Sequence, residues 1–315
     1  MTDPCIRLEG SANPQTIWDF YRMERTPCVA TTEEELATVM TLSKPALDNV
    51  DVRNPATQAV LQVLQQNQAI ERVSFELVQK LASLGLTQAN ILFNPQLMAH
   101  QALSQMSVTE AVIAGVGRAL AAQKNPMKIH LTLSLYRGAN QSANAETIEV
   151  ARRFIGTMVH GLDITGPEKN HPLSLFRHCL TMASLYGIPF SVHAGLTDAP
   201  EDILEAIDLG AQTIIHGNCL STHPELFDAL QKANILVISC PSAELGCAAI
   251  KHVSDIPLKA LREKGIRVAI AASDMTSFAT DTQKEYGLVK NAFAFTEDEM
   301  SSIVSMADTA FITQK

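Results

Sequence analysis

Short apolar runs, each closed by a polar or glycine-bearing turn, recur along this chain with amphipathic stretches of helical period between them. From residue 73 onward the alternation is regular. Amphipathic stretches at 74–84, 107–123, 145–158, 174–186, 201–209, 224–232 and 257–264 predict helices, and apolar runs at 89–93, 128–135, 159–164, 188–193, 213–216, 235–239 and 267–271 predict strands. Apolar runs bounded by turn residues read as buried strands, and a helix between successive strands makes them parallel. The short run 5–8, closed by Glu9-Gly10, adds a strand at the N-terminus, although it is too brief for periodicity to establish alone. Between it and residue 73 the pattern is helical, over 15–23 and again over 32–73. There Glu33-Glu34-Glu35 form an acidic first turn, and Leu61, Leu64 and Ile70 share an apolar face. Glu297-Asp298-Glu299 begin a further helix in the tail 291–315.

Eight strand–helix repeats in 315 residues are most economically one closed parallel (β/α)8 TIM barrel with an inserted N-terminal helical region. An open doubly wound sheet would usually carry a glycine-rich phosphate turn after its first strand, and no G-x-G-x-x-G is present. No linker rich in Gly, Ser or Pro divides the chain, so a single domain over 1–315 is expected. The net charge of -9 argues against a nucleic-acid partner, which needs a basic face, and leaves a small molecule as the expected ligand. The cysteines at 5, 28, 179, 219, 240 and 247 form no C-x-x-C pair, which suits reduced thiols. With no signal-peptide pattern and no long apolar span, no membrane association and a cytoplasmic location are expected.

The chemistry collects where a barrel displays catalytic groups, at the C-terminal strand ends. Two runs end in His193-Ala194-Gly195 and His216-Gly217, another in Ser273-Asp274, and Asp163 lies inside a fourth. Two imidazoles and a carboxylate suit a divalent metal, which brings the pKa of bound water to about 7. The plainer reading makes each histidine a hydrogen-bonded structural residue. Asp163 and Glu168 read equally well as site groups or as caps of the following loop. His100, His130, His160, His171, His178, His223 and His252 lack metal-ligand spacing and read as surface or packing residues.

In order, these motifs resemble the adenosine deaminase family of the amidohydrolase superfamily, from Cys5 to the tail. Leu8-Glu9-Gly10-Ser11 is similar to the end of H-x-H-L-E-G-S, and Asn94-Pro95-Gln96-Leu97 to the turn after the next strand. Residues 161–168 resemble G-x-D-L-A-G-D/P-E, His193-Ala194-Gly195 resembles H-A-G-E, and Ile215-His216-Gly217 resembles I-G-H-G. Cys240-Pro241-Ser242 is similar to C-P-x-S-N, and Ser273-Asp274 with Phe278 to T-D-D-P-x-x-F. The resemblance implies the barrel and one zinc ion whose hydroxide attacks a purine. His193 and Asp274 match two of its metal ligands, His216 the catalytic histidine, and Gly166 a backbone donor to the purine edge.

Four key positions depart from the family pattern. Cys5 and Arg7 stand in place of the two N-terminal histidine ligands, Leu196 replaces the general acid, and Met275 replaces the second aspartate. A cysteine thiolate can ligate zinc, but arginine is always protonated and offers no lone pair. A cation a few Å from the metal is repelled by roughly 4 kcal/mol at an effective dielectric of about 20. A residual metal set would be His193, Asp274 and Cys5, and the zinc implied by the family is then expected to be absent. Arg7 is expected instead to form a bidentate pair with Asp274. Leu196 removes proton transfer, commonly worth roughly 10²- to 10⁴-fold. Three readings follow. One is an inactive barrel that binds a small molecule such as a purine nucleoside, or a protein partner. Another is a diverged enzyme acting on a purine-like or other anionic small molecule, with Arg7, Asp163, Gly166 and Met275 as substrate-binding residues beside His193, His216 and Asp274. The last is a true purine deaminase with an altered zinc site.

Overall fold

The computed structural model describes residues 1–24, 27–100 and 102–311. Its strands are β1 (Thr2–Arg7), β2 (Gln88–Phe93), β3 (Lys128–Tyr136), β4 (Val159–Thr165), β5 (Phe190–Ala194), β6 (Thr213–His216), β7 (Leu236–Ser239) and β8 (Arg267–Ile270). They pair in parallel in sequence order. A parallel bridge between Ile6 and Ser273 brings the last strand back to the first. There Ser273 donates its N–H to the Cys5 carbonyl at 2.8 Å, and Arg7 donates to the Ser273 carbonyl at 3.0 Å. The result is the expected (β/α)8 TIM barrel.

Period-two alternation explains why the runs read as continuously apolar. Ile215, Leu236, Ile238, Cys240, Ala269 and Ala271 pack together with Cys5 and Leu92, while Ile214, Val237, Val268 and Ile270, one step along the same segments, join the larger core that includes the helices. A parallel sheet covered on both faces needs apolar residues at both parities.

Each expected strand forms, with small shifts at the ends. The helical excursion divides into helices Glu33–Val39, Pro55–Val63 and Asn67–Ser83. Asn54 accounts for one break, because its side chain accepts from Thr57 N–H at 2.8 Å and Pro55 follows it as the first helical residue. The helix expected at 145–158 lies earlier, at Gln141–Phe154, because the Asn140 side chain caps its start by accepting from Ser142 N–H at 2.6 Å. The helix Thr282–Phe293 is absent from the sequence expectations, as are the short helices Pro95–Met98 and Pro241–Gly246. Asp281 caps the first of these, accepting from Lys284 N–H at 3.0 Å.

Two buried charged groups hold the loops that carry the site. Arg137, at the end of β3, has no exposed surface. Its guanidinium donates to the His193 carbonyl at 2.6 Å and the His171 carbonyl at 3.1 Å, and pairs with Asp202 in helix Pro200–Asp208. Glu285, on Thr282–Phe293, accepts from Ser242 N–H at 3.0 Å and from the Thr280 hydroxyl, tying the loops after β7 and β8 together. Burial pushes its carboxyl up to about 7, and burial does the same to Asp3 in β1.

Replacing Arg137 by Met leaves Asp202 as an uncompensated buried carboxylate, and urea unfolding is expected to show a loss of about 3–5 kcal/mol. A loss below about 1 kcal/mol would contradict the clamp. The Glu285 carboxyl carries a pH prediction. Between its ordinary value of 4.5 and about 7, the folded state holds a proton that the unfolded state releases. Stability is therefore greatest below this window and falls as pH rises through it, by at most about 3 kcal/mol from this group. Thermal melts from pH 4.5 to 7.5 should show a shallower fall for Glu285→Gln than for the native chain, and identical slopes would refute the assignment.

Candidate functional site

The strand ends around the seam set the first half of the site. Arg7, the last residue of β1, donates Nη2 to the Asn94 side-chain oxygen at 2.6 Å, while its Nη1 has no hydrogen-bond partner. Glu9 fixes the far side by accepting from the Asn94 N–H at 2.7 Å, and its other oxygen lies 3.8 Å from Arg7. Asp274 Oδ1 is 3.8 Å from Arg7 Nε, and Oδ2 accepts from the Ser273 hydroxyl at 2.7 Å. The expected bidentate Arg7–Asp274 pair is not formed. Asn94 takes the outer guanidinium edge and Ser273 holds one aspartate oxygen, so a single loose ion contact remains. Burial opposes the Arg7 charge, but Glu9 and Asp274 outweigh it and hold the pKa above its ordinary value. Gly10 makes this packing possible, since a Cβ there would sit 1.9 Å from Asp274 Oδ1.

The second half is a row of four titratable side chains. Asp163, fully buried in β4, accepts from the Ser191 hydroxyl at 2.9 Å and lies 3.4 Å from His193 Nε2. His193 Nδ1 is 3.2 Å from His216 Nε2, and His216 Nδ1 is 3.4 Å from Glu244. Glu244 accepts from the Ser239 hydroxyl and from the Cys240 N–H at 2.8 Å. Burial pushes His193 below its ordinary value, against the pull of Asp163, which favours the neutral ring. With one proton on each ring and a hydrogen bond kept between the rings, only one of the two outer carboxylates can face an N–H. A third proton would satisfy both, so the row can take up a proton at one end and release one at the other. The backbone is strained where these groups are presented. His216 has φ 86° and Ser273, next to Asp274, has φ 54°. Non-glycine residues in this region cost roughly 1–3 kcal/mol and cluster at functional sites.

Arg7, His193, His216 and Asp274 line one cleft of about 700 Å³, measured to its open mouth, with Tyr136 and Leu196 in its wall. Asp163 lies behind His193 without lining the cleft, and the Glu168 side chain reaches not the loop that follows β4 but the one after β5. Glu168 accepts from the Leu196 N–H at 3.1 Å and from the Thr197 N–H and hydroxyl at 3.2 and 3.0 Å. Gly166 sits at φ 120° with a ring carbon of Tyr136 2.9 Å from where a Cβ would be, and does not line the cleft. Met275 is 1% exposed and packs into the core instead of the cleft wall. Cys5 lies in the barrel interior with Leu92, Ile215 and Cys240, away from the cleft lining. Among the described residues, no three His, Cys, Asp or Glu side chains stand together as a set able to hold a metal ion. Of the residues matched to the family's metal ligands, His193 and Asp274 line the cleft, Cys5 does not, and the Arg7 guanidinium has no lone pair to offer a metal.

From the sequence, Glu9, Asn94 and Arg137 had no assigned role; the available signal for each was a polar residue just past an apolar run, at the turn after a strand.

The comparisons agree with this fold. The family model described as adenosine deaminase matches residues 4–315. An adenosine deaminase from Haemophilus ducreyi is 27% identical over 305 residues, covering 95% of this chain and 88% of that one. Among solved structures, an Arabidopsis ADAL complexed with IMP superposes with a TM-score of 0.87 at 19% identity, covering 98% of this chain and 91% of that one. An amidohydrolase from Burkholderia ambifaria with bound Zn has a TM-score of 0.84 at 15% identity, covering 99% and 85%. With a family model that spans nearly its whole length and a barrel whose strand ends carry the matching motifs, this chain belongs to the adenosine deaminase family.

Proposed function

We propose that the protein binds an anionic, purine-type small molecule at the mouth of its barrel and does not carry out zinc-dependent hydrolytic deamination. The observation that carries this reading is Arg7, which brings a fixed guanidinium to within 3.8 Å of Asp274, the aspartate matching a family metal ligand. A cation there opposes a divalent ion, and the apolar Leu196 side chain offers no proton to a purine ring. The same guanidinium has a buried Nη1 without a partner, beside the cleft, and a phosphate or carboxylate oxygen would satisfy it. A structural relative complexed with IMP supports the purine class of ligand. In this reading Arg7 binds the anion, Asp274 and Glu9 orient Arg7, and Tyr136 and Leu196 form walls. A protein that binds without turnover acts as a scaffold or sensor for its ligand.

A second reading, a diverged enzyme, is favoured by the row Asp163–His193–His216–Glu244, which retains acid–base capacity without a metal. In that case His216 is the cleft-facing proton carrier and Glu244 its positioning residue.

Metal analysis of the purified chain is expected to give substoichiometric zinc, and adenosine and AMP to release no ammonia. IMP should bind in calorimetry and weaken roughly 10- to 100-fold on Arg7→Ala, the usual worth of a hydrogen bond to a charged group. A thermal melt confirms that the variant is folded. Stoichiometric zinc with turnover would overturn the proposal, as would IMP binding that ignores Arg7. For the second reading, any turnover found among purine substrates should fall at least about 100-fold in His216→Asn. Turnover that survives this change would remove the histidine row from the chemistry.

A further inference from the structure

Beside the Arg7 cleft lies a second one that no step above uses. It runs over the loops after β5, β6 and β7, has a volume of about 990 Å³ measured to its open mouth, and shares Leu196 with the first as a common wall. Its floor holds Asn218, two residues beyond His216, only 5% exposed. The backbone carbonyl of Asn218 is occupied by the Ser221 hydroxyl at 2.9 Å, but neither side-chain Oδ1 nor Nδ2 has a hydrogen-bond partner. A buried amide is ordinarily satisfied, and this one leaves both an acceptor and a donor unused. The Arg7 cleft has no comparable neutral pair.

The surroundings define what would satisfy it. Leu196, Cys219 and Ile250 supply apolar walls suited to a flat ring, with Leu47 half-exposed at the rim. The rim charges are Lys251, Asp198 and Asp255. Asp198 is bonded to His223 at 2.9 Å, and Asp255 accepts from the Lys251 and His252 N–H groups. An anion entering here would meet one lysine and two aspartates, so a phosphate is not favoured. An uncharged planar ring with adjacent donor and acceptor fits the side-chain amide, which makes such a bidentate pair with an adenine edge elsewhere in biology.

We propose that the Asn218 cleft is a second ligand site, taking an uncharged nucleobase or the base of a nucleoside against the Asn218 amide. It stands independently of the Arg7 reading, because its recognition element, charge preference and walls are different apart from Leu196.

The probe is adenine, added to the full chain. A co-crystal structure is expected to place adenine against Asn218, and calorimetry to show the corresponding binding event weakened at least about tenfold in Asn218→Leu. Asn218→Asp, which loses the donor, should weaken it as well. Asn218→Leu should melt no lower than the native chain, since it removes an unsatisfied amide, and should leave IMP binding at Arg7 unchanged. Adenine found only in the Arg7 cleft, an ordered water as the sole occupant at Asn218, or affinity indifferent to Asn218→Leu would each overturn the proposal. Loss of IMP binding in Arg7→Ala alone speaks only to the first cleft, so the two readings fail separately.

Discussion

The seam between the first and last strands is the constraint on which the rest depends. Two backbone hydrogen bonds, from Ser273 to Cys5 and from Arg7 to Ser273, convert a parallel sheet with two edges into a closed barrel. Their register also sets Arg7 and Asp274 on the same rim at ion-pairing distance. Closure and the first half of the site are thus one geometric fact. Glu9, Gly10 and Asn94 then fill in around it, each a short step beyond a strand end.

Much of this was legible in the sequence because the physics that builds a parallel barrel is periodic and local. Strands buried on both faces must be apolar at both parities, and helices that cover them must be apolar on one face, so the two patterns alternate visibly. His193, His216 and Asp274 stood out as titratable groups at the ends of such runs. What stayed hidden was non-local. Nothing beside Arg137 in the sequence marks it as buried, yet it is wholly buried because carbonyls and an aspartate from distant segments surround it. The Arg7–Asp274 pairing was anticipated, but its geometry turned on competition from Asn94, 87 positions away along the chain. The helix Thr282–Phe293 carries a glycine and mixed polarity, and its packing face is recognisable only once Glu285 is seen bridging two loops.

Membership of the family and the proposed departure from its chemistry are compatible because they reside in different parts of the molecule. The family model spans residues 4–315, and most of that similarity describes the strands, helices and turns that make a barrel. The reaction resides in a few side chains at one end. Here Glu168 still holds the loop after β5 by two backbone N–H groups, although the residue that loop presents is Leu196. The scaffold is intact around an altered payload.

The environment of Arg7 also bears on the direction in which such a protein can evolve. The guanidinium is flanked by Glu9 and Asp274, one almost wholly buried. Exchanging Arg7 for a neutral imidazole, one step back towards a metal ligand, would leave both carboxylates without their cation before any ion could be held, because Cys5 faces the barrel interior. Any path to such a ligand set therefore crosses a destabilised intermediate, and the two carboxylates act as a ratchet that holds a cation at this position.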